Sequence, residues 1–239
     1  MLNVWIILII VASSLIKGMT GFGFAMLSFP LLMLWYSPQE IVPVIMICNL
    51  FASVMIVIQK KEYKLLDKQS YFLIGAGGLF TIAGVIALSS VNVEWLIRLA
   101  GLLFIILTVY SLVRKAPVYK TLRNRAYLFV GAGIGFLTGA LSVSGPPMAL
   151  FLKRANIGNR KFREIFAAFS VITAVIAIFG YYQTGMITWQ TLKNSLIFAP
   201  ILMFGSIIGK KLNSVMSIAR FQTINTVLTL IASLMLLIR

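Results

Sequence analysis

The sequence predicts an all-α polytopic membrane protein that forms a single membrane domain over residues 1–239. Two observations predict this class. Hydrophobic residues make up 60% of the chain and only 11% of residues are charged, whereas soluble domains carry about 25% charged residues. Apolar segments also recur along the chain, several of them near the length of about 20 residues that spans a bilayer. The lipid bilayer is therefore an expected partner.

Eight apolar segments can be distinguished, and two of them are long and interrupted. The long segments cover about residues 3–36 and 126–152, and they contain "GMTGFGF" at 18–24 and "SVSGPP" at 142–147. Glycine and proline disfavour a helix interior, so each long segment is predicted to be a re-entrant or broken helical hairpin. The other six segments are predicted to cross the membrane, at about 40–59, 70–89, 93–113, 163–182, 189–209 and 219–238.

The two halves of the chain resemble each other, and a polar connection at about 114–125 separates them. Repeat 1 is predicted to cover about residues 1–117 and repeat 2 about residues 118–239. Three pairs of residues align in the same order with nearly constant offsets. These pairs are Gly18 with Gly139, Glu40 with Glu164, and Gly84 with Gly209.

The distribution of basic residues predicts the orientation of the segments. If all eight segments crossed, nine basic loop residues would be inside and eight outside, contrary to the positive-inside rule. If the two interrupted segments enter and leave on one side, all 17 become cytoplasmic. Each half then has one hairpin plus three transmembrane helices, and this odd number of crossings makes the two repeats inverted. Both termini are then extracytoplasmic.

Inverted repeats with broken helices near the midplane are typical of transporters, which bind substrate where the repeats meet. The two breaks are therefore predicted to face each other across a central site. Lys17 precedes the first break, and a cation at membrane depth costs about 2.5–3.5 kcal/mol on insertion scales. Its position favours a small anionic substrate as a partner. The alternative is that Lys17 snorkels to a membrane interface.

The residues of the two breaks predict a nest for a small anion. Glycines let backbone N–H groups approach a ligand, and a helix that starts near Pro146 would point its positive end at the break. Asn49 and Ser170 occupy matching positions in the two repeats and either complete the site or bond between helices. The predicted substrate-binding residues are Lys17, Gly18, Thr20, Gly21, Gly23, Asn49, Ser142, Ser144, Gly145, Pro146, Pro147 and Ser170.

Two further sets of residues have structural interpretations. Close helix packing is the interpretation of the other glycines within the segments. It is also the alternative for the small residues at the breaks, although packing does not require the prolines found there. Aromatic residues near the segment ends are interpreted as anchors at the membrane interface. They include Trp35, Tyr36, Trp95, Tyr181, Tyr182 and Trp189.

Several classes of function are disfavoured. The chain has no histidine and one cysteine, Cys48, so no catalytic triad, metal site or cofactor is expected. The net charge of +16 comes from short clusters between apolar runs, which argues against nucleic-acid binding. The N-terminus lacks a basic region and a cleavage site, and it is interpreted as a retained membrane segment. The alternative to a transporter is a membrane scaffold or assembly factor.

Two motifs carry a resemblance to a known family. "KGMTGFGFAMLSFPLLM" at 17–33 and "GFLTGALSVSGPPMALFL" at 135–152 resemble the paired motifs of the TauE/SafE family, the sulfite exporter or toluene-sulfonate uptake permease family. The resemblance implies transport of sulfite, sulfonate or sulfoacetate-type anions, with export favoured, across a bacterial cytoplasmic membrane. The motif residues that it singles out are Gly18, Gly21, Gly23, Pro30, Gly139, Ser142, Ser144, Gly145, Pro146 and Pro147.

Overall fold

A computed structural model describes residues 4–58, 66–90 and 123–213, with scattered residues between 92 and 109 and between 227 and 234. The regular elements within these ranges are α-helices. In chain order they are α1 (Val4–Thr20), α2 (Phe24–Leu32), α3 (Pro38–Ile58), α4 (Lys68–Ser90), α5 (Asn124–Leu141), α6 (Gly145–Arg154), α7 (Asn159–Gln183) and α8 (Trp189–Asn213).

Both predicted helix breaks are confirmed, at residues 21–23 and 142–144. Gly21 and Gly23 in the first break have φ angles of 83° and 106°, and Ser142 in the second has a φ of 57°. These left-handed conformations end a right-handed helix, and glycine adopts them without steric cost. Pro146 and Pro147 lie in the first turn of α6, where a missing N–H group is tolerated.

Four of the six predicted membrane crossings are present as long apolar helices. By length and composition, α3, α4, α7 and α8 can each cross a membrane. The predicted crossings at 93–113 and 219–238 lie largely outside the described residues. The scattered residues described between 94 and 109 and between 227 and 234 are helical.

The described helices form two units with the same order of lengths. In α1–α4 and in α5–α8, a long helix and a short helix are followed by two long ones. The first helix of each unit packs against the last helix of the other, so that α1 contacts α8 and α5 contacts α4. Helices α3 and α7 also contact each other between the units. The two units are therefore packed through matching pairs of helices.

Glycines make the α1–α8 and α4–α5 crossings close. At six positions an added Cβ atom would overlap the backbone of the opposite helix, so a larger residue would push the two helices apart. The packing interpretation of Gly84 is thereby supported, and Gly18 has the same role. The glycines and the carbonyl groups they contact are Gly18 with Ser206, Gly209 with Leu15, Gly139 with Thr81, Gly84 with Phe136, Gly131 with Leu73, and Gly135 with Gly77.

An ion pair joins the segments that precede α4 and begin α7. The ammonium of Lys161 donates to a carboxylate oxygen of Asp67 at 2.6 Å, and Asp67 also accepts hydrogen bonds from Ser70 at the start of α4. Partial burial opposes ionisation of Asp67, but these hydrogen bonds outweigh it and lower its pKa to about 2. Lys68 and Lys161, one from each of two basic clusters that the sequence predicts to share a side, thus lie at the same end of the helices.

Candidate substrate site between the two helix breaks

Residues from both helix breaks line one cavity, here called the central cavity. The ring of Phe22 in the first break lies against Gly145 at the start of α6, leaving no room for a Cβ atom there. Polar groups reach the cavity from four helices and from both breaks. The polar and small residues that line it are Lys17, Gly23, Asn49, Thr138, Ser142, Ser144, Gly145, Pro146, Ser170 and Thr173.

Lys17 is a buried cation at the edge of this cavity. Its side chain is only 4% exposed, and its ammonium donates a hydrogen bond to the Asn49 side-chain carbonyl at 2.5 Å. Lys17 also lies in the last turn of α1, where the partial negative charge of the helix end favours a cation. Within the described part of the chain, no carboxylate forms an ion pair with it. The burial argues against the snorkelling alternative, because a snorkelling lysine places its ammonium in water.

Hydrogen bonds hold the second break against two neighbouring helices. The hydroxyl of Ser142 donates to the backbone carbonyl of Val42 in α3 at 3.1 Å. The hydroxyl of Tyr181 in α7 donates to the carbonyl of Gly139 at 2.6 Å. The interpretation of Tyr181 as an interface anchor is therefore wrong, because its side chain is completely buried. Tyr182 and Trp189 are 69% and 71% exposed, as interface anchors would be.

Eight of the twelve predicted site residues line the central cavity. Gly18 and Gly21 instead line a second, larger cavity, together with Lys17. Pro147 is half-buried in the first turn of α6 and does not line either cavity. The side chain of Thr20 lies outside the described residues. Binding of substrate by these residues stays a prediction.

Sequence reasoning missed several residues of the central cavity. Thr138 and Thr173 line it, although their hydroxyls donate to carbonyls one turn earlier in their own helices. Helical spacing could have identified both, since Thr138 lies four residues before Ser142 and Thr173 lies three after Ser170. Phe166 also lines the cavity, and its apolar character gave no signal.

Residues 6–236 match the profile of one family, described as sulfite exporter TauE/SafE. The chain belongs to the TauE/SafE family. The match covers nearly the whole chain, including both helix breaks and every residue of the central cavity. No curated protein and no solved structure was found to match the chain.

Membership of the TauE/SafE family identifies the protein as an integral membrane protein of a transporter family. The long apolar helices agree with this assignment. The central cavity is accordingly the candidate substrate site. Among the described residues, no cluster of three or more histidine, cysteine, aspartate or glutamate side chains forms a metal site.

Proposed function

We propose that the protein transports a small sulfur-containing oxyanion of the sulfite or sulfonate class, and that export is the physiological direction. The observation that carries the proposal is the buried Lys17 ammonium at the junction of two broken helices, in a chain of the sulfite exporter family. A buried cation without a carboxylate partner stabilises a bound anion, because the anion supplies the missing opposite charge.

The central cavity offers donors of a suitable kind for an oxyanion. Lys17 contributes an ammonium, and hydroxyl groups of Ser144 and Ser170 lie at the same cavity. The N-terminus of α6 also reaches it, since Gly145 and Pro146 line the cavity. Helix N-termini bind anions through free N–H groups and the helix dipole; since Pro146 and Pro147 have no N–H, the first turn of α6 contributes the N–H of Gly145 and the positive end of the dipole. A sulfonate or sulfite group would thus receive charged and neutral donors together.

The central cavity is small in the described conformation, with a volume of about 30 Å³. We expect binding of an oxyanion to widen it by separating the two breaks, which is the movement that alternating access between two repeats would provide.

We also propose that the two units are inverted repeats. The paired glycine crossings support this, because the contacts of Gly18 and Gly209 recur at Gly139 and Gly84. The carbonyls contacted by Gly18 and Gly139 belong to Ser206 and Thr81, and these residues are related by the same offset as Gly209 and Gly84. Random helix packing would not reproduce this correspondence.

Flux measurements in proteoliposomes test the proposed transport. Purified protein should move labelled sulfite and a short alkylsulfonate down an imposed gradient, whereas liposomes without protein should not. A matched measurement with a sugar of similar size tests for leakage. If well-folded protein gave no anion flux under any gradient, the transport proposal would be rejected in favour of the scaffold alternative.

Labelling of introduced cysteines tests the inverted repeats. Cysteines at Lys120 and Asn159, placed in a background that lacks Cys48, should react with an impermeant maleimide from the cytoplasmic side. Both positions belong to basic connections that the hairpin arrangement places on that side. Labelling of the two positions from opposite sides would contradict the inverted repeat.

A further inference from the structure

A second cavity, here called the cationic vestibule, adjoins the central cavity. The two cavities share Lys17 and Phe166, so these two side chains stand between them. The residues that line the vestibule are Lys17, Gly18, Gly21, Ala52, Met55, Arg163, Phe166, Met203, Ser206, Ile207 and Lys210. Three of these residues are cationic, and no acidic residue is among them.

The cations converge from three different helices. Lys17 belongs to α1, Arg163 to the start of α7, and Lys210 to the end of α8. The Arg163 side chain passes beside Gly21, whose added Cβ atom would lie 4.0 Å from the guanidinium Nε. Within the described part of the chain, no carboxylate forms an ion pair with Arg163 or Lys210. No described carboxylate therefore neutralises their positive charge at the vestibule.

The apolar walls of the vestibule strengthen the field of these cations. Met55, Met203 and Ile207 line it between the charged groups. Clefts with charge of one sign and low-dielectric walls focus the electric field and raise the local concentration of counter-ions. The vestibule is thus suited to attract anions rather than to pass them without interaction.

The size of the vestibule also distinguishes it from the central cavity. Its volume is about 150 Å³, against about 30 Å³ for the central cavity. In this conformation the vestibule therefore offers more room for a sulfite or short sulfonate ion than the central cavity does.

The vestibule lies at the end of the helices that carries the basic clusters. Lys210 is 21 residues beyond Trp189 in α8, which places it about 31 Å away along the helix. Arg163 follows Lys161, whose ion pair with Asp67 joins the starts of α7 and α4. By the positive-inside rule this end is cytoplasmic.

A group of three aromatic rings lies where the two cavities adjoin. Phe22, Phe162 and Phe166 pack in mutual contact with ring centroids 5.9–6.0 Å apart. Phe22 belongs to the first break and lines the central cavity, whereas Phe166 lines both cavities. An anion in the vestibule would thus be held outside the central cavity until this packing changes.

We propose that the cationic vestibule is a separate loading site, at which Arg163 and Lys210 hold a small oxyanion before it passes Lys17 into the central cavity. This inference rests on the proposed transport function and adds two residues and a second site to it. The ligand class is a sulfite- or sulfonate-like anion in free solution. The phosphate headgroup of an anionic lipid shares this chemistry, so the experiment must separate the two sources.

The test compares vestibule variants with neighbouring basic residues that do not line the vestibule. Arg163→Met, Lys210→Met and the double variant are reconstituted in purely zwitterionic liposomes beside the controls Arg154→Met and Lys211→Met. Sulfite flux is measured from the vestibule side and from the opposite side, at low and at high ionic strength. Size-exclusion profiles establish that each variant is folded.

The double variant should raise the KM for sulfite from the vestibule side by about three- to tenfold at low salt, since focusing of counter-ions falls with ionic strength. The increase in KM should shrink at high salt. The KM from the opposite side and the kcat should both stay within about twofold of wild type, because a charge that only steers association affects neither of them. Both control variants should behave like wild type.

Equilibrium binding of sulfite tests the vestibule site even if the protein shows no flux. Sulfite should raise the melting temperature of the detergent-purified wild type and controls more than that of the double variant. Absence of flux with this binding difference intact would reject transport but not the vestibule site. A wild-type KM and wild-type sulfite stabilisation in the double variant would overturn the vestibule site while leaving transport untouched. An effect seen only in anionic lipid would assign the cations to lipid headgroups and would also overturn it.

Discussion

Replacing Lys17 by methionine tests the proposed substrate site most directly. Methionine keeps most of the length and apolar volume of the lysine side chain but removes the charge. Lys17 is 4% exposed and donates to Asn49, so the variant removes a buried donor rather than a solvated surface charge. We expect Lys17→Met to insert and fold while binding sulfite much more weakly.

The size of the loss follows from the type of interaction. A hydrogen bond to a charged partner contributes about 1.5–3 kcal/mol. Because each 1.4 kcal/mol is tenfold in affinity, Lys17→Met should weaken anion binding by about 10- to 150-fold. Lys17→Arg should retain part of the affinity, since the charge remains but the planar guanidinium is wider. Ser144→Ala should lose less, on the order of 0.5–1.5 kcal/mol for a neutral hydrogen bond.

The assay is the concentration of sulfite that produces half of the maximal rise in melting temperature, followed by flux in proteoliposomes. Lys193→Met is the matched control, because Lys193 is an exposed lysine near the ring of Trp189 and lines neither cavity. Asn49→Leu separates the two roles of Lys17. If Lys17 only holds α1 against α3, Asn49→Leu should lower the melting temperature as much as Lys17→Met, and neither should change sulfite affinity.

Wild-type affinity for sulfite in Lys17→Met would refute the reasoning. Substrate recognition would then depend on the backbone donors of the two breaks and on the α6 N-terminus. The same result would remove Lys17 from the proposed passage between the vestibule and the central cavity.

Two further predictions concern stability. Gly84→Ala and Gly209→Ala should each destabilise the protein by about 1–3 kcal/mol through overpacking. The control Gly75→Ala should be neutral or slightly stabilising, because its added Cβ atom meets open space. Equal melting temperatures for all three variants would contradict the close helix crossings. The depressed pKa of Asp67, about 2 against an ordinary 3.8, stabilises the fold above about pH 4, and this contribution is lost as the pH falls towards 2. Because the ion pair with Lys161 is partly exposed, its contribution to stability is under about 1 kcal/mol. Asp67→Asn should remove this contribution. If the melting temperature of Asp67→Asn fell with acid as much as that of wild type, the ion pair would be excluded as the cause of the acid dependence.

The fold class and both helix breaks could be predicted because they depend on local properties of the chain. The length of each apolar run indicates whether it spans a bilayer. Gly21, Gly23 and the "SVSGPP" sequence indicate where a helix must stop, since their backbone preferences act over a few residues. Four of the six crossings and both breaks are therefore where the sequence places them.

The polar residues of the central cavity were also largely predictable. Uncompensated polar groups are rare at membrane depth, so Lys17, Asn49 and Ser170 are conspicuous in the sequence. They share one cavity because residues of both helix breaks line it. Thr138 and Thr173 escaped notice, because a threonine in an apolar helix ordinarily bonds to its own backbone, as both do here.

The tertiary structure alone decided which distant residues meet. Tyr181 stands next to Tyr182 in the sequence, yet the packing of α7 against α5 buries it on Gly139 while Tyr182 remains exposed. Arg163 and Lys210 are separated by 47 positions and look like ordinary members of the basic clusters that are predicted to be cytoplasmic. Only the packing of α1, α7 and α8 brings them to one cavity with Lys17, because helix composition records which faces are apolar but not which neighbour covers each face.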